Sequence, residues 1–144
     1  AEAALLLENA ILMQPTLGVA YDSLASVYLE SGSDPQRALE LSEMAVAYAP
    51  RGMSRALILA NFARALALTG YAPRAESTLQ EAFKKANKKQ SLWMSELHRL
   101  AGHTMQALGN RDAAREHFTA AVQLNPSGRT GHMAQRALDT LTSP

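Results

Sequence analysis

Apolar residues recur along the chain at intervals of three and four. Tyr21, Leu24, Ala25 and Tyr28 form one stripe, and Leu59, Phe62, Ala63 and Leu66 form a second with the same offsets. His98, Ala101, Gly102 and Met105 form a third. Residues three and four apart share one face of an α-helix, so each stripe predicts an amphipathic helix. Each helix is followed by a glycine, at Gly32, Gly70 and Gly109, spaced by 38 and 39 residues. Glycine accepts the left-handed conformation that closes a helix C-terminus. A second helix then restarts at Asp34-Pro35, at Ala72-Pro73 and at Asn110-Arg111-Asp112. Asp34 reads as an N-cap with Pro35 at the first helical position, and Asp112 is expected to supply the same capping chemistry. These second helices carry Ala38, Ser42 and Ala45, then Ala75, Leu79 and Ala82, then Ala114, Phe118 and Ala121. Small residues at the ends of such a stripe let two helices approach closely, and the middle residue fills the gap between repeats.

The two ends continue the pattern. Ala3, Leu7, Ala10 and Pro15 have the spacing of a second helix and its closing proline, without a first helix before them. The chain is therefore expected to begin in the middle of a repeat, with the natural protein extending N-terminally. Leu5, Leu6, Ile11 and Leu12 would then be left bare, and self-association through this helix is expected. Residues 129–141 predict one more helix, with Met133, Ala134, Ala137, Leu138 and Leu141 on its apolar face. Such a helix caps a stack of repeats, whose last member otherwise exposes an apolar side. Prolines close the second helices at Pro50 and Pro126, but Asn87 stands where another would fall. That helix is expected to run on to Lys89, followed by an inserted link at residues 90–94 with Trp93 packed beneath it.

This organisation resembles the tetratricopeptide repeat, whose pattern is W-x2-L-G-x2-Y, then A-x3-F, then P. The third repeat matches at Gly102, Gly109, Ala114, Phe118, Ala121 and Pro126, with His98 and Met105 in place of two aromatics. The first keeps Tyr21, Leu24, Tyr28, Gly32, Ala38, Ala45 and Pro50, with one extra residue in its turn. The second keeps Phe62, Ala63, Gly70, Ala75, Leu79 and Ala82 and lacks the proline. The resemblance implies one all-α domain over residues 1–144, a right-handed α-α superhelix of antiparallel helix pairs. Its parts would be a truncated repeat at 1–16, repeats at 18–52, 56–89 and 95–128, and a capping helix at 129–142. It further implies a non-catalytic scaffold that binds a peptide or partner helix in a concave groove lined by the first helices. The alternative is a regulatory or accessory segment of a larger multidomain protein, such as a sensor, a transcription regulator or an enzyme with its active domain upstream. Residues 95–102 resemble, over a short stretch, the longer-helix repeats of bacterial regulators of this kind.

Composition narrows the chemistry. Ala and Leu fill about a third of the chain while Val and Ile are few, which favours helices over strands. The absence of cysteine excludes disulfides, thiolate metal sites and cysteine nucleophiles. No apolar run approaches the ~20 residues of a membrane span, and no segment reads as a signal peptide. The formal net charge of +1 hides an asymmetry: residues 1–50 carry −6 and residues 51–144 carry +7. Such a dipole steers charged partners and would favour head-to-tail contact between copies. Lys84, Lys85, Lys88 and Lys89 form the densest basic run, but with only Trp93 nearby they read as a solvated helix end rather than a nucleic-acid surface.

The groove positions implied by the resemblance are Asp22, Ser26 and Leu29, then Ala60, Asn61, Arg64 and Ala67, then Arg99, His103 and Gln106. The carboxylate clamp of chaperone-adaptor repeats would fall on Asp22, Ser26, Asn61, Glu96 and Leu100. Only Asn61 fits, and two of the five are acids that repel a carboxylate, so that function is rejected. Arg64, Arg99 and His103 could instead form a cationic patch for an acidic or amidic segment, unless Arg99 is spent on Glu96 one turn away. The four histidines lack the i, i+4 spacing of a helical metal site, and His98 occupies a packing position. No phosphate-binding glycine loop or nucleophile elbow is present. Neither catalytic residues, a metal nor a cofactor is therefore expected.

Overall fold

The computed structural model describes residues 2–142. Within them the chain forms eight α-helices and no strand: α1 (Glu2–Met13), α2 (Gly18–Ser31), α3 (Pro35–Ala47), α4 (Met53–Leu68), α5 (Ala72–Lys85), α6 (Ser91–Ala107), α7 (Arg111–Leu124) and α8 (Arg129–Thr142). None of these helices is long and apolar enough to cross a membrane.

Helix boundaries follow from local chemistry. The Asp34 carboxylate accepts from the Arg37 N–H at 3.0 Å, and Pro35 opens α3 where its missing N–H costs nothing. At α7 the cap is Asn110, whose Oδ1 accepts from the Ala113 N–H at 3.1 Å. Asp112 lies inside the first turn, where its charge faces the positive end of the helix dipole, and does not cap. Gly70 and Gly109 end α4 and α6 at φ 92° and 81°. This lets the next N–H fold back, from Tyr71 to the Leu66 carbonyl and from Asn110 to the Met105 carbonyl, each at 2.9 Å.

The expected extension of α5 to Lys89 does not occur. The helix stops at Lys85, and Ala86 turns extended. Asn87 then builds a turn of its own: its side chain accepts from the Lys89 N–H and its carbonyl from the Gln90 N–H. An asparagine that bonds the backbone two residues on favours a turn over continued helix. Residues 91–94 are consequently the first turn of α6 rather than an inserted link. Trp93 stands on that turn and is 43% exposed, so it is not packed beneath a linker.

Helices pack in successive pairs, α2 with α3, α4 with α5 and α6 with α7. The even-numbered helices also touch one another in order, α2 to α4 to α6 to α8, while the backbones of α3, α5 and α7 stay apart and α5 reaches α7 through Phe83 on His117. This defines an inner row and an outer set of helices. The centre of the row is α4, with twelve of its sixteen residues buried. Its Ala-rich faces receive Leu29 and Leu39 on one side and Leu97, Leu100 and Leu79 on the other. The last core joins Ala114, Phe118 and Ala121 of α7 to Ala134 and Leu141 of α8.

Candidate functional site

The sequence candidates converge on the inner row, and most are engaged with one another. Asn61 on α4 donates to Asp22 Oδ1 at 2.9 Å and to Ser26 Oγ at 3.1 Å, both on α2. Arg64, one turn on, donates to Glu30 Oε1 at 3.1 Å and to the Leu29 carbonyl. Arg99 on α6 reaches the same Glu30 oxygen at 3.0 Å. Its Nε and Nη2 also grip both Glu96 oxygens, at 2.9 and 2.7 Å. Thr130 on α8 completes the chain by donating to Glu96. The result is a polar seam that ties all four inner helices together.

Burial sets the character of this seam. Asn61, Arg64 and Arg99 are buried, at 5%, 8% and 5% exposure, and Leu29 belongs to the core. Ala60 and Ala67 are buried as well. Arg64 and Arg99 therefore do not form a free cationic patch: the intramolecular alternative prevails, and it extends beyond Glu96 to Glu30. Asn61, the one residue that fitted the carboxylate clamp, is spent on Asp22 and Ser26. His103 is half-buried with its ring edge-on to Phe118 at 4.9 Å, and Gln106 is exposed beside it. Glu30 escaped the sequence reading although Asp22, Ser26 and Glu30 stand at successive i, i+4 positions, which places them on one face of α2.

Electrostatics follow from this crowding. Burial pushes the Asp22 carboxyl up to about 6, the Asn61 hydrogen bond opposes the shift, and Glu96 adds to it. Burial also works against the Glu30 charge, but Arg99 and Arg64 outweigh it and hold the carboxyl below its ordinary value. Burial pulls the Arg64 guanidinium down despite Glu30. For Arg99 the two carboxylates outweigh burial and raise it. Burial, then Arg64 and Arg99, bring His103 down to about 4, so it is neutral at pH 7. At that pH three carboxylates face two guanidiniums, and the seam carries a net negative charge.

Asp22 accordingly has a pH signature. Its folded value lies above the ordinary 3.8, so the folded state prefers the neutral acid. Ionisation of Asp22 then removes stability as the pH rises from about 4 through about 6. Asp22→Asn keeps an acceptor for Asn61 and removes this cost. The variant is expected to match the parent near pH 4 and to exceed it at pH 7 by on the order of 2 kcal/mol. Urea denaturation of both proteins across this range checks the difference, and parallel pH curves would contradict it.

Two further features lie outside the seam. At the start of the inner helices, Leu57, Leu92 and Trp93 line a shallow, open depression of about 200 Å³ that also includes Glu96. Leu92 and Trp93 are exposed, which makes this apolar surface open to solvent and contiguous with the acidic seam. On the other side of α6, His98 and His117 place their Nδ1 atoms 3.0 Å apart, and both rings lie against Phe83. Burial and His117 bring His98 down to about 4, and burial lowers His117. One neutral ring thus donates to the other, pinning α6 to α7 and to α5. Among the described residues no group of three or more His, Asp or Glu side chains could hold a metal ion.

No family model matches the chain, and no curated protein matches it.

Proposed function

We propose that the chain is a non-catalytic protein-interaction scaffold, a tetratricopeptide-like superhelix that receives a peptide or partner helix along its inner row of helices. The observation that carries this reading is the exposed apolar surface of Leu57, Leu92 and Trp93 set against Glu96. Half-exposed tryptophan beside aliphatic side chains is the composition of an interface anchor, where a few such residues supply most of the binding energy. The surrounding charge revises the expected ligand. With Arg64 and Arg99 both engaged in the seam, its carboxylates Glu30 and Glu96 are left partly exposed at the surface. An apolar side chain flanked by Lys or Arg is therefore favoured over an acidic segment. A ligand cation near the seam would also offset the cost of ionising Asp22.

The chain contains a single tryptophan, so this surface carries its own reporter. Panning a random peptide library on the immobilised protein is expected to enrich aromatic or aliphatic residues with basic neighbours. Bound peptides should shift Trp93 emission to the blue. Leu92→Asp should weaken them at least roughly tenfold, about 1.4 kcal/mol, without altering the helical circular dichroism. Enrichment of acidic peptides, or binding that leaves Trp93 emission unchanged, would remove this reading.

A further inference from the structure

Helix α1 lies along α2, and its Ala4, Leu7 and Ile11 pack against a cluster that also includes Leu41 and Ala45 of α3. Ile11 is therefore part of the core contact and not of an open edge, as the sequence suggested. At 3.6 residues per turn, Leu5, Leu6, Asn9, Leu12 and Met13 fall within an arc of about 120° on the opposite side of the helix, with Glu2 at its N-terminal end and Leu12 at its edge, beside the hollow it shares with Arg37 and Leu41 of α3. The four apolar members of this arc are 58%, 63%, 77% and 88% exposed. The helix is thus apolar on two opposed faces, and only one of them is covered within the chain.

We propose that the uncovered face joins two copies of the chain in a twofold-symmetric dimer, with their α1 helices antiparallel and crossing at Asn9. A twofold axis at Asn9 sets Leu5 against the partner's Met13 and Leu6 against the partner's Leu12. Each apolar side chain then meets an apolar one, and the two asparagines meet each other. An amide carries both donors and an acceptor, so this pair satisfies itself across the axis. A lone Asn in an apolar helix seam also penalises slipped registers, which fixes this one. A parallel pairing would set Glu2 against its own copy. The antiparallel one separates these acids and opposes the helix dipoles.

Area and complementarity agree with a second copy as the occupant. The exposed fractions amount to nearly three full side chains per copy, so pairing covers on the order of 1,000 Å² in total, near the lower bound for a specific interface. Head-to-tail contact, suggested by the charge asymmetry, offers no such match. The corresponding outer surface of α8 carries Arg129, His132, Gln135 and Arg136, which leaves the leucines of α1 without an apolar counterpart.

Sedimentation equilibrium of the 144-residue chain is expected to show a dimer in the micromolar range. Leu6→Glu plus Leu12→Glu should raise the dissociation constant by roughly 100-fold or more, with unchanged circular dichroism because both positions are solvent-exposed. The chain has no cysteine, so engineered ones report geometry cleanly. Asn9→Cys should cross-link on oxidation, as should Leu5→Cys combined with Met13→Cys, while Leu5→Cys alone should not. A monomer throughout the range would overturn the proposal and leave this face to a different chain segment or protein. A dimer that survives the double glutamate variant would overturn the interface. Efficient cross-linking by Leu5→Cys alone would overturn the antiparallel arrangement. None of these outcomes depends on the ligand of the inner row.

Discussion

Phe118→Ala is expected to lower the free energy of unfolding by about 3–5 kcal/mol, the cost of emptying a large aromatic site in a core that cannot collapse around it. Phe118 has no exposed surface and is the largest fully buried side chain described. It stands between Ala114 and Ala121 of its own helix and packs with Ala134 and Leu141 of α8. Its ring also lies directly against the backbone of α6: a Cβ at Gly102 would come within 2.6 Å of it. That approach explains why glycine occupies a mid-helix position that would otherwise disfavour it. The surroundings are held rigidly. Ser95 Oγ donates to the Ala121 carbonyl at 2.7 Å, and Arg111 on α7 donates to the Leu141 carbonyl on α8. Relaxation into the cavity is thereby resisted, and the cost belongs toward the upper part of the range. Urea denaturation measures it, and a loss below about 1.5 kcal/mol would show that α6, α7 and α8 close up on the missing ring. Gly102→Ala should destabilise as well, because the intruding methyl meets the aromatic ring rather than a flexible tip. Its effect should shrink in the Phe118→Leu background, where the ring is gone.

Arg99→Ala is expected to cost about 3 kcal/mol, in line with removing one partner of a buried ion pair. The guanidinium holds Glu96 through two parallel hydrogen bonds and Glu30 through a third. Without it, Glu96 is left beside Asp22, and Glu30 keeps only Arg64. The penalty comes chiefly from these unmatched carboxylates rather than from the intrinsic strength of the pair. The Glu30 share is reduced by solvent, since that side chain is 39% exposed. Arg99→Lys should recover little, because an ammonium cannot reproduce the planar fork that spans α2 and α6. Adding Glu96→Gln to Arg99→Ala should restore part of the loss by neutralising the stranded acid. Thermal and urea unfolding of the three variants test this order, and an Arg99→Ala protein as stable as the parent would show the seam to be a solvated surface feature. The same reasoning makes arginine reversal at 64 or 99 a poor probe of binding, since it would act first on the fold.

The helices themselves were legible in the sequence. Their all-α character, the breaks at Gly32, Gly70 and Gly109, and the Asp34 cap follow from local rules that involve residues no more than four apart. The errors were local too. Asn110 caps α7 from two positions before Asp112, and Asn87 stops α5 by bonding its own backbone where proline was missed. Both are side-chain-to-backbone competitions that a search for charge or proline overlooks. On α1, the spacing points to Ala3, Leu7 and Ala10, whereas the packed, half-buried face is Ala4, Leu7 and Ile11. That change of positions turns the face by about 65°, so Ile11, expected on the open edge, instead packs partly buried against the core.

The candidate site divides along the same physical line. The sequence by itself determined the packed stripes of α2, α3, α4, α5 and α7, because a 3.6-residue period is a property of one backbone. The Arg99–Glu96 contact belongs to this class, being one turn long. The tertiary structure alone decided which of these residues meet. Glu30 and Arg99 are 69 positions apart, and His98 and His117 are 19 apart on different helices. Their encounter depends on how far one helix is displaced and rotated against the next, which no intrahelical period encodes. That offset turned a set of presumed ligand-binding cations into the bracing of the inner row, and it left Trp93, Leu92 and Leu57 as the open apolar surface beside it.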